Sequence, residues 1–531
     1  MIMKRNIIFG CFIIFTMISM ISCYDDDSTL PTIDLPEIVV DRSSQGKYLP
    51  ANFGEKFHYE PKLGKLQENG DTLWLSEEEY NDFNYIWKMS LTASSDTISE
   101  VISDQRVLDI DMVADPNSGA GNYALMLQVI HKASGATKQL NWEVRVEGAF
   151  TAGLLVADTK DETSSDISLI VTRSYNESEA LESYADDKIM RDILSMVNKK
   201  KLDGVISDLT YMRYRKDELV TVLIKDKSLV QLEASTMKEN ARDMQAFIYE
   251  PAVYKPEKIF VGNYFNYSML INDGKVHYYY PKDGGTKYSH TPEFEYVVAP
   301  VIVRFSMTGS RMLLFDNKGS KFVAFNNGNT TDIAETEGAA FQANDMPGCE
   351  LVYGDYAGSM QYLLRCLVKK DGKFYIYELG QQKLDGKFIY DMSGCTDLDK
   401  ATSYAFSNKY DEFYYAVDNK IYVAILNKSN SFTSKITHEF AAGEKVTHLL
   451  MHNGDWGYAN GYTTWNENGD GTPMWIESKD NLLTAATYNA SCKEGKVYTL
   501  PIQYGGSGKF AAEKYINSYG GFGRITAIAL R

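Results

Sequence analysis

His448 and His452, four residues apart, are the first pair to test as metal ligands. They sit among Val446, Leu449, Leu450 and Met451 in a predicted strand, with no third ligand nearby, so they read as core or rim histidines. Gly505-Gly506-Ser507-Gly508-Lys509 has the glycines of a phosphate loop, but Gln503 stands where the first Gly belongs and Phe510 where a magnesium-binding Ser or Thr belongs. A turn is the plainer reading. Asn466-x-Asn468-x-Asp470-Gly471 with Glu477 at the twelfth position has the spacing of a calcium loop: oxygens converge, Gly471 takes the sharp turn and Glu477 can bind through both oxygens. Asn466 removes one charge from that set, and Pro473 stands where an apolar strand residue is usual, so a hairpin tip is the alternative. In the same stretch Trp456, Trp465 and Trp475 lie within twenty residues, beside Tyr458 and Tyr462. Rigid aromatics on a loop bury much area at little entropic cost, which suits a ligand site or a partner interface. Trp456, Tyr458, Tyr462 and Trp465 are the candidate contacts, and covering the rim of a fold is the alternative role. No Gly-x-Ser-x-Gly elbow or His-Glu-x-x-His occurs, and 71 carboxylates are too many to single out an acid–base pair. Binding without turnover is the expectation; a surface hydrolase or lyase is the alternative.

The elements that must position these residues are mostly strands. From 149 to 531, strand–turn–strand units recur, as in Val222–Val230, Leu270–Tyr278 and Val368–Tyr375. Turn residues Asp226, Asp273, Asn317, Asp371, Asn419 and Glu494 fall 47, 44, 54, 48 and 75 residues apart. That is the period of propeller blades with one late insertion, and a tight hairpin asks for positive φ at Gly or Asn. A four-stranded blade cannot bury both faces alone, so about seven blades must pack face to face in a ring. Arg524–Leu530 is a strand without a local partner and is expected to complete the first blade. Ser183–Lys201 alone reads as a helical insertion, with Ser183 and Asp186 in capping spacing, an apolar stripe of Ile189, Ile193 and Val197, and Gly204 as the stop.

Residues 41–148 alternate as strands at Phe83–Met89, Gly121–Val129 and Leu140–Val146. A Trp on a middle strand and a late hairpin suit a β-sandwich of about 100 residues. The chain is therefore read as all-β. Tyr85-Ile86-Trp87 and Gly121-x-Tyr123 make this segment resemble PKD-like and immunoglobulin-like modules.

The N-terminal end has its own logic. Lys4 and Arg5 precede an apolar run, Ile7–Met20, that is too short to span a bilayer comfortably. It ends in Met20-Ile21-Ser22-Cys23, which resembles a bacterial lipobox and marks residues 1–22 as a signal peptide and Cys23 as the acylated mature N-terminus. Asp25–Asp27 follow and resemble the surface-export signal of Bacteroidetes lipoproteins; residues 23–40 read as a tether. A net charge of −17 argues against nucleic acid, whose phosphates need a basic face. Cys349, Cys366, Cys395 and Cys492 form no Cys-x-x-Cys pair and read as small buried residues, with one or two bridges open.

Lipobox, acidic tether, PKD-like module and propeller together resemble a PKD-like family lipoprotein of Bacteroidetes. The segment Ala152-Gly153-Leu154-Leu155-Val156 departs from the Gly-Trp-x-Val-Leu expected of that family. The resemblance implies a lipoprotein of the outer membrane, exposed at the cell surface. It further implies an accessory of a SusC/SusD-like (RagA/RagB-like) uptake system that handles a peptide or a glycan. No cofactor is expected beyond the calcium loop.

Overall fold

The computed structural model describes residues 37–531 except 43–48, 53–55, 92–99, 113–120, 148–152, 173, 176–186, 215–216, 263–266, 280–286, 290–294, 306–310, 327, 358–361, 408–409, 453–461, 466–472, 477–481, 505 and 514–515. The described chain is all-β with very little helix. Its residues divide into two compact units, one of 37–51, 56–112 and 122–145, the other of Asn52, Gly121 and Val146–Arg531.

In the first unit a five-stranded sheet runs in the order Leu49–Asn52, Thr137–Glu147, Gly121–His131, Phe83–Leu91, Glu100–Ser103. Facing pieces are the sheet Glu37–Val40, Leu63–Leu66, Thr72–Trp74 and the pair Lys56–Tyr59 with Leu108–Asp111. Alternation along Phe83–Leu91 sends Trp87 inward, where it is fully buried 5.7 Å from Trp142. Tyr59 meets both indoles edge-on at 6.1 and 5.4 Å. The Trp87 indole N–H donates to the Gln105 carbonyl oxygen at 2.8 Å, so this large side chain is buried without an orphaned donor. Glu37–Val40, expected in the tether, is a strand paired with Leu63–Leu66. Its Ile-Val-Val run favours a pleated surface, and Ile38 is buried there.

In the second unit the described residues form seven consecutive antiparallel sheets, besides the separate pair Tyr462–Trp465 with Pro473–Ile476. Their innermost strands are Arg524–Leu530, Ile206–Tyr214, Pro256–Val261, Val303–Arg304, Cys349–Ala357, Ser403–Phe406 and Glu444–Met451. Six apolar clusters each straddle two neighbouring sheets, from the second against the third round to the seventh against the first. Between the first and second, Arg531 lies 5.5 Å over the Tyr211 ring. Each sheet is thus apolar on both faces, which only face-to-face neighbours can cover.

The ring closes with the last strand. Leu154 pairs with Leu530, Val156 with Ile528 and Ala157 with Ala527, so the first sheet joins the two ends of the unit. Gly523 makes the entry to this strand possible: a Cβ there would lie 2.2 Å from the Thr159 carbonyl oxygen. Its N–H donates to buried Asp158 at 2.6 Å.

Three local expectations are corrected. Ser183 and Asp186 lie outside the described residues; among those described, the helix covers Ile193–Asn198, and Lys188–Met190, inside the expected helix, is a strand whose Ile189 pairs with Ile170. The apolar stripe met a free sheet edge, and strand pairing won over helix propensity. Asp192 and Lys199, both at positive φ, bound the short helix on either side. The hairpins take positive φ mostly at Asp rather than Asn: at Asp226, Asp418 and the pairs Asp273-Gly274 and Asp371-Gly372. Around Asn317 and Glu494 it falls instead on Ser320 and Lys493. A short Asp side chain tolerates this region because it can hydrogen-bond its own backbone. Finally, the four described cysteines are all unbridged, and Cys492 is exposed on its hairpin rather than buried.

Candidate functional site

The innermost strands run in one direction round an axial channel, and its two ends differ. One end, the mouth, is formed where these strands begin and where the second and third strands of each sheet turn. Ile206-Ser207, Lys445–His448 and Arg524–Thr526 meet there with Lys225, Lys400, Asp418 and Tyr488, round a cavity of about 790 Å³. Tight turns demand short polar residues, and the flanking lysines follow them, so the requirements of hairpin geometry put charge on this rim. A second cavity of about 730 Å³ lies on the rim between the second and third sheets, lined by Lys225–Lys227 and Tyr254–Glu257. Ser207 and Lys225 line both cavities.

Most mouth cations are partnered. Lys445 lies 3.3 Å from Asp418, Lys400 2.6 Å from Asp397, and Arg524 makes a two-pronged pair with Glu162. The Glu162 hydrogen bond raises Arg524 above its ordinary range. Lys225 has no carboxylate within ion-pair distance among the described residues. Hydroxyls of Ser207, Thr402, Thr447 and Thr526 complete the lining.

His448 sits at the mouth on the strand Glu444–Met451. Its Nδ1 lies 3.0 Å from Thr447 Oγ1. Burial lowers its pKa to about 4, with Lys258 adding to the effect, so the imidazole is neutral near pH 7. Thr447 Oγ1 also reaches the Ala486 carbonyl oxygen at 3.3 Å. This hydroxyl is tied to the sheet and His448 is tied to it. His452 is buried just past the strand's last residue, 6.3 Å from the Tyr175 ring, so the two histidines lie four residues apart along one extended run. Among the described residues no three His, Cys, Asp or Glu side chains cluster as a metal site.

The opposite end narrows to about 230 Å³. Asp208 Oδ2 takes Lys258 at 2.9 Å and the Ile259 N–H at 3.1 Å. Arg304 clasps Asp355 through Nε at 3.1 Å and through Nη2. Burial lowers the Arg304 pKa and Asp355 more than reverses it, leaving it above the ordinary range. Leu209, Phe260, Leu449, Met451, Ile528 and Leu530 are among the apolar residues of the remaining wall.

The glycine-rich turn has its own anion. The Gly508 N–H donates to buried Glu412 of the neighbouring sheet at 2.8 Å, and Lys435 donates to the Ser507 carbonyl oxygen at 3.0 Å. A backbone donor of the kind that made a phosphate loop worth testing is thus given to the protein's own carboxylate. The turn pins the seventh sheet to the sixth.

Of the other sequence candidates, Cys23, Trp456, Tyr458, Asn466, Asn468, Asp470 and Glu477 lie outside the described residues. Tyr462 and Trp465 are described only as ends of the strand Tyr462–Trp465, which pairs with Pro473–Ile476. The insertion that carries them leaves the ring after His452 and returns at Leu482, joined by a 2.9 Å backbone bond from the His452 N–H to the Leu482 oxygen. Both anchor points lie at the narrow end, since Leu482 and Met451 are there while Tyr488 is at the mouth. The residues that sequence reasoning missed are Lys225, Lys445 and Arg524. For Lys225 the signal was its place beside the Asp226 turn; Lys445 and Arg524, which follow Glu444 and Gly523, take on meaning only once the ring brings the strand starts together.

Residues 23–205 match the model of the PKD-like family, about a third of the chain. No curated protein matches in sequence. Among solved structures, a quinonprotein alcohol dehydrogenase-like protein from Bacteroides thetaiotaomicron is 11% identical, with 93% of this chain and 99% of that one covered and a TM-score of 0.45. A β-propeller domain of Cps50 from Myceliophteria thermophila is 11% identical, with 58% and 86% covered and a TM-score of 0.35. An auxiliary nutrient binding protein from Bacteroides ovatus is 8% identical, with 87% and 95% covered and a TM-score of 0.31.

Proposed function

We propose that this chain is a ligand-capturing lipoprotein of the outer-membrane surface. In this reading Cys23 carries the acyl anchor, the PKD-like unit spaces the ring from the membrane, and a seven-bladed β-propeller receives a glycan or peptide at its channel mouth. The observation that carries it is the cavity of about 790 Å³ at the mouth, lined by hydroxyls and cations alongside Val205, Ile206, Val417, Val446 and Ile525. That is the size and mixed lining of a binding pocket. The reading is capture without turnover.

The aromatic insertion then takes the partner role. Its anchor points lie at the channel end opposite the mouth, which favours Trp456, Tyr458, Tyr462 and Trp465 as contacts to a SusC/SusD-like transporter rather than to the ligand. Purification of the tagged protein from solubilised outer membranes should bring down a large β-barrel transporter. A variant with both Trp456→Ala and Trp465→Ala should lose that transporter, because a buried aromatic anchor contributes about 2 kcal/mol or more. Mouth variants should keep the transporter and lose ligand. Steady cleavage of a glycan or peptide by the purified protein would overturn the reading.

A further inference from the structure

We infer that the captured ligand is an elongated acidic oligosaccharide that lies across the rim, from the channel mouth into the cleft between the second and third sheets, with Lys225 at the crossing. This rests on the mouth being the binding site.

Length comes first. Each of the two cavities, about 790 and 730 Å³, is alone the size that holds a drug-sized molecule, about 300–1,000 Å³. They meet at Ser207 and Lys225, so together they make a bent trough open to solvent. A single small molecule fills one arm, whereas an oligomer fills both.

Charge comes second. Over the whole chain 71 acids outnumber 54 bases. Along the trough the sign reverses: six cations, Lys225, Lys227, Lys255, Lys400, Lys445 and Arg524, stand against three carboxylates. Five of these cations hold a carboxylate: Lys227 takes Asp203, Lys255 takes Glu257, and Lys400, Lys445 and Arg524 take the partners given above. Such exposed pairs are weak and exchange easily with an incoming anion. Lys225, at the junction, has none to exchange. Five of the six are lysines, flexible point charges that tolerate variable spacing along a repeating chain better than the fixed fork of arginine.

The remaining lining favours sugar over peptide. Ser207, Thr402, Thr447 and Thr526 donate their own protons to carbonyl oxygens and keep hydroxyl oxygens that accept from sugar hydroxyls, and Tyr488 and Tyr254 stand one in each arm. Peptides are commonly gripped through free backbone groups of a sheet edge. In the cleft those groups are spent: the Lys225 N–H donates to Val205, the Lys227 N–H to Ile224 and the Lys255 N–H to the Asn272 side chain.

Calorimetric titration of the purified protein tests this with oligogalacturonates of two to eight residues, chondroitin sulfate oligosaccharides, malto-oligosaccharides and hexaglutamate. Acidic sugars should bind at least tenfold tighter than malto-oligosaccharides of equal length, gain affinity from two to about five residues and weaken as salt rises. The galacturonate and chondroitin arms report whether carboxylate suffices or sulfate is preferred, and tight binding of either supports the acidic chain. Lys225→Met should lower affinity tenfold or more, while Lys383→Met, exposed outside both cavities, should not. Ser207→Trp, at an exposed position where the two arms meet, should shorten the preferred oligomer, with an unchanged melting temperature showing that the ring is intact. Equal binding of neutral sugars, or tighter binding of hexaglutamate, if lost in Ser207→Trp, overturns the acidic sugar and leaves the mouth as the site. Binding of these probes that neither Lys225→Met nor Ser207→Trp alters overturns the mouth as well.

Discussion

The two ends of the channel are made from the same innermost strands, yet they use charge in opposite ways. At the narrow end the charges belong to the strands themselves and are satisfied. Asp208 takes an ammonium and a backbone N–H, and Arg304 spends two of its nitrogens on Asp355. At the mouth many charges come from hairpin ends; they are exposed and held by loose pairs or, at Lys225, by none. A charge on an inner strand must be paired to be tolerated, because burial without a partner costs several kcal/mol. A charge on a turn costs almost nothing to leave open. Partnering, more than charge as such, separates the part of the channel that holds the ring from the part that can accept a ligand.

The closing strand Arg524–Leu530 breaks the comparison at both ends at once. Arg524–Thr526 line the mouth and Ile528–Leu530 the narrow end. Removing residues 524–531 takes away the pairing with Leu154–Thr159 and uncovers the first sheet. The expected cost is most of a domain's stability, roughly 5–15 kcal/mol. Cooperative unfolding of the truncated protein at an unchanged temperature would show that the ring does not depend on this closure.

Next in size is the narrow end alone. Asp355→Ala leaves the Arg304 guanidinium mostly buried and unpaired, and should cost about 3 kcal/mol, the lower end for breaking a buried pair. Urea unfolding measures it. Replacing both partners by apolar residues should restore much of the loss, because the penalty lies in the orphaned charge.

How much of this was legible beforehand follows the range of the interactions. Strand and turn periodicity is local, so the recurrent hairpins, the sandwich strands and the unpartnered final strand could be read from neighbours in sequence. Ile189 misled because its apolar spacing fits a helix as well as an edge strand, and only the distant Ile170 decides between them. The mouth was invisible for the same reason: Lys225, Lys445 and Arg524 are between 79 and 299 residues apart and share nothing but their position on the ring. His448 was correctly read as lying on a strand, but its place at the channel mouth depends on ring closure.

His448 gives a smaller effect with a definite sign. Its folded pKa of about 4 lies below the ordinary 6.5. As pH falls through this window the unfolded chain takes a proton that the folded one refuses, so stability is full above about 6.5 and is lost progressively toward 4. His448→Gln should flatten that part of the pH profile while shifting the unfolding midpoint little at pH 7.5. Urea midpoints at pH 7.5, 5.5 and 4.5 give the comparison; a variant with the parental slope would place His448 outside the acid sensitivity of the ring.

The smallest expected effect sharpens the contrast most. If the mouth charges are held only loosely, removing them must leave the ring unharmed. Lys445 pairs with Asp418 at 3.3 Å, but both side chains are about 70% exposed, and such pairs contribute between nothing and about 1 kcal/mol. Lys445→Met and Lys225→Met should therefore each move stability by no more than about 0.5 kcal/mol, within the range of ordinary surface changes. The same kind of change at the other end, Lys258→Met, leaves Asp208 with its backbone N–H donor but without its counter-charge, and should cost distinctly more. Melting curves of the three variants side by side decide the point. A mouth variant as damaging as Lys258→Met would mean that the mouth, too, is built to hold the ring, and that its charges are structural rather than reserved for a ligand.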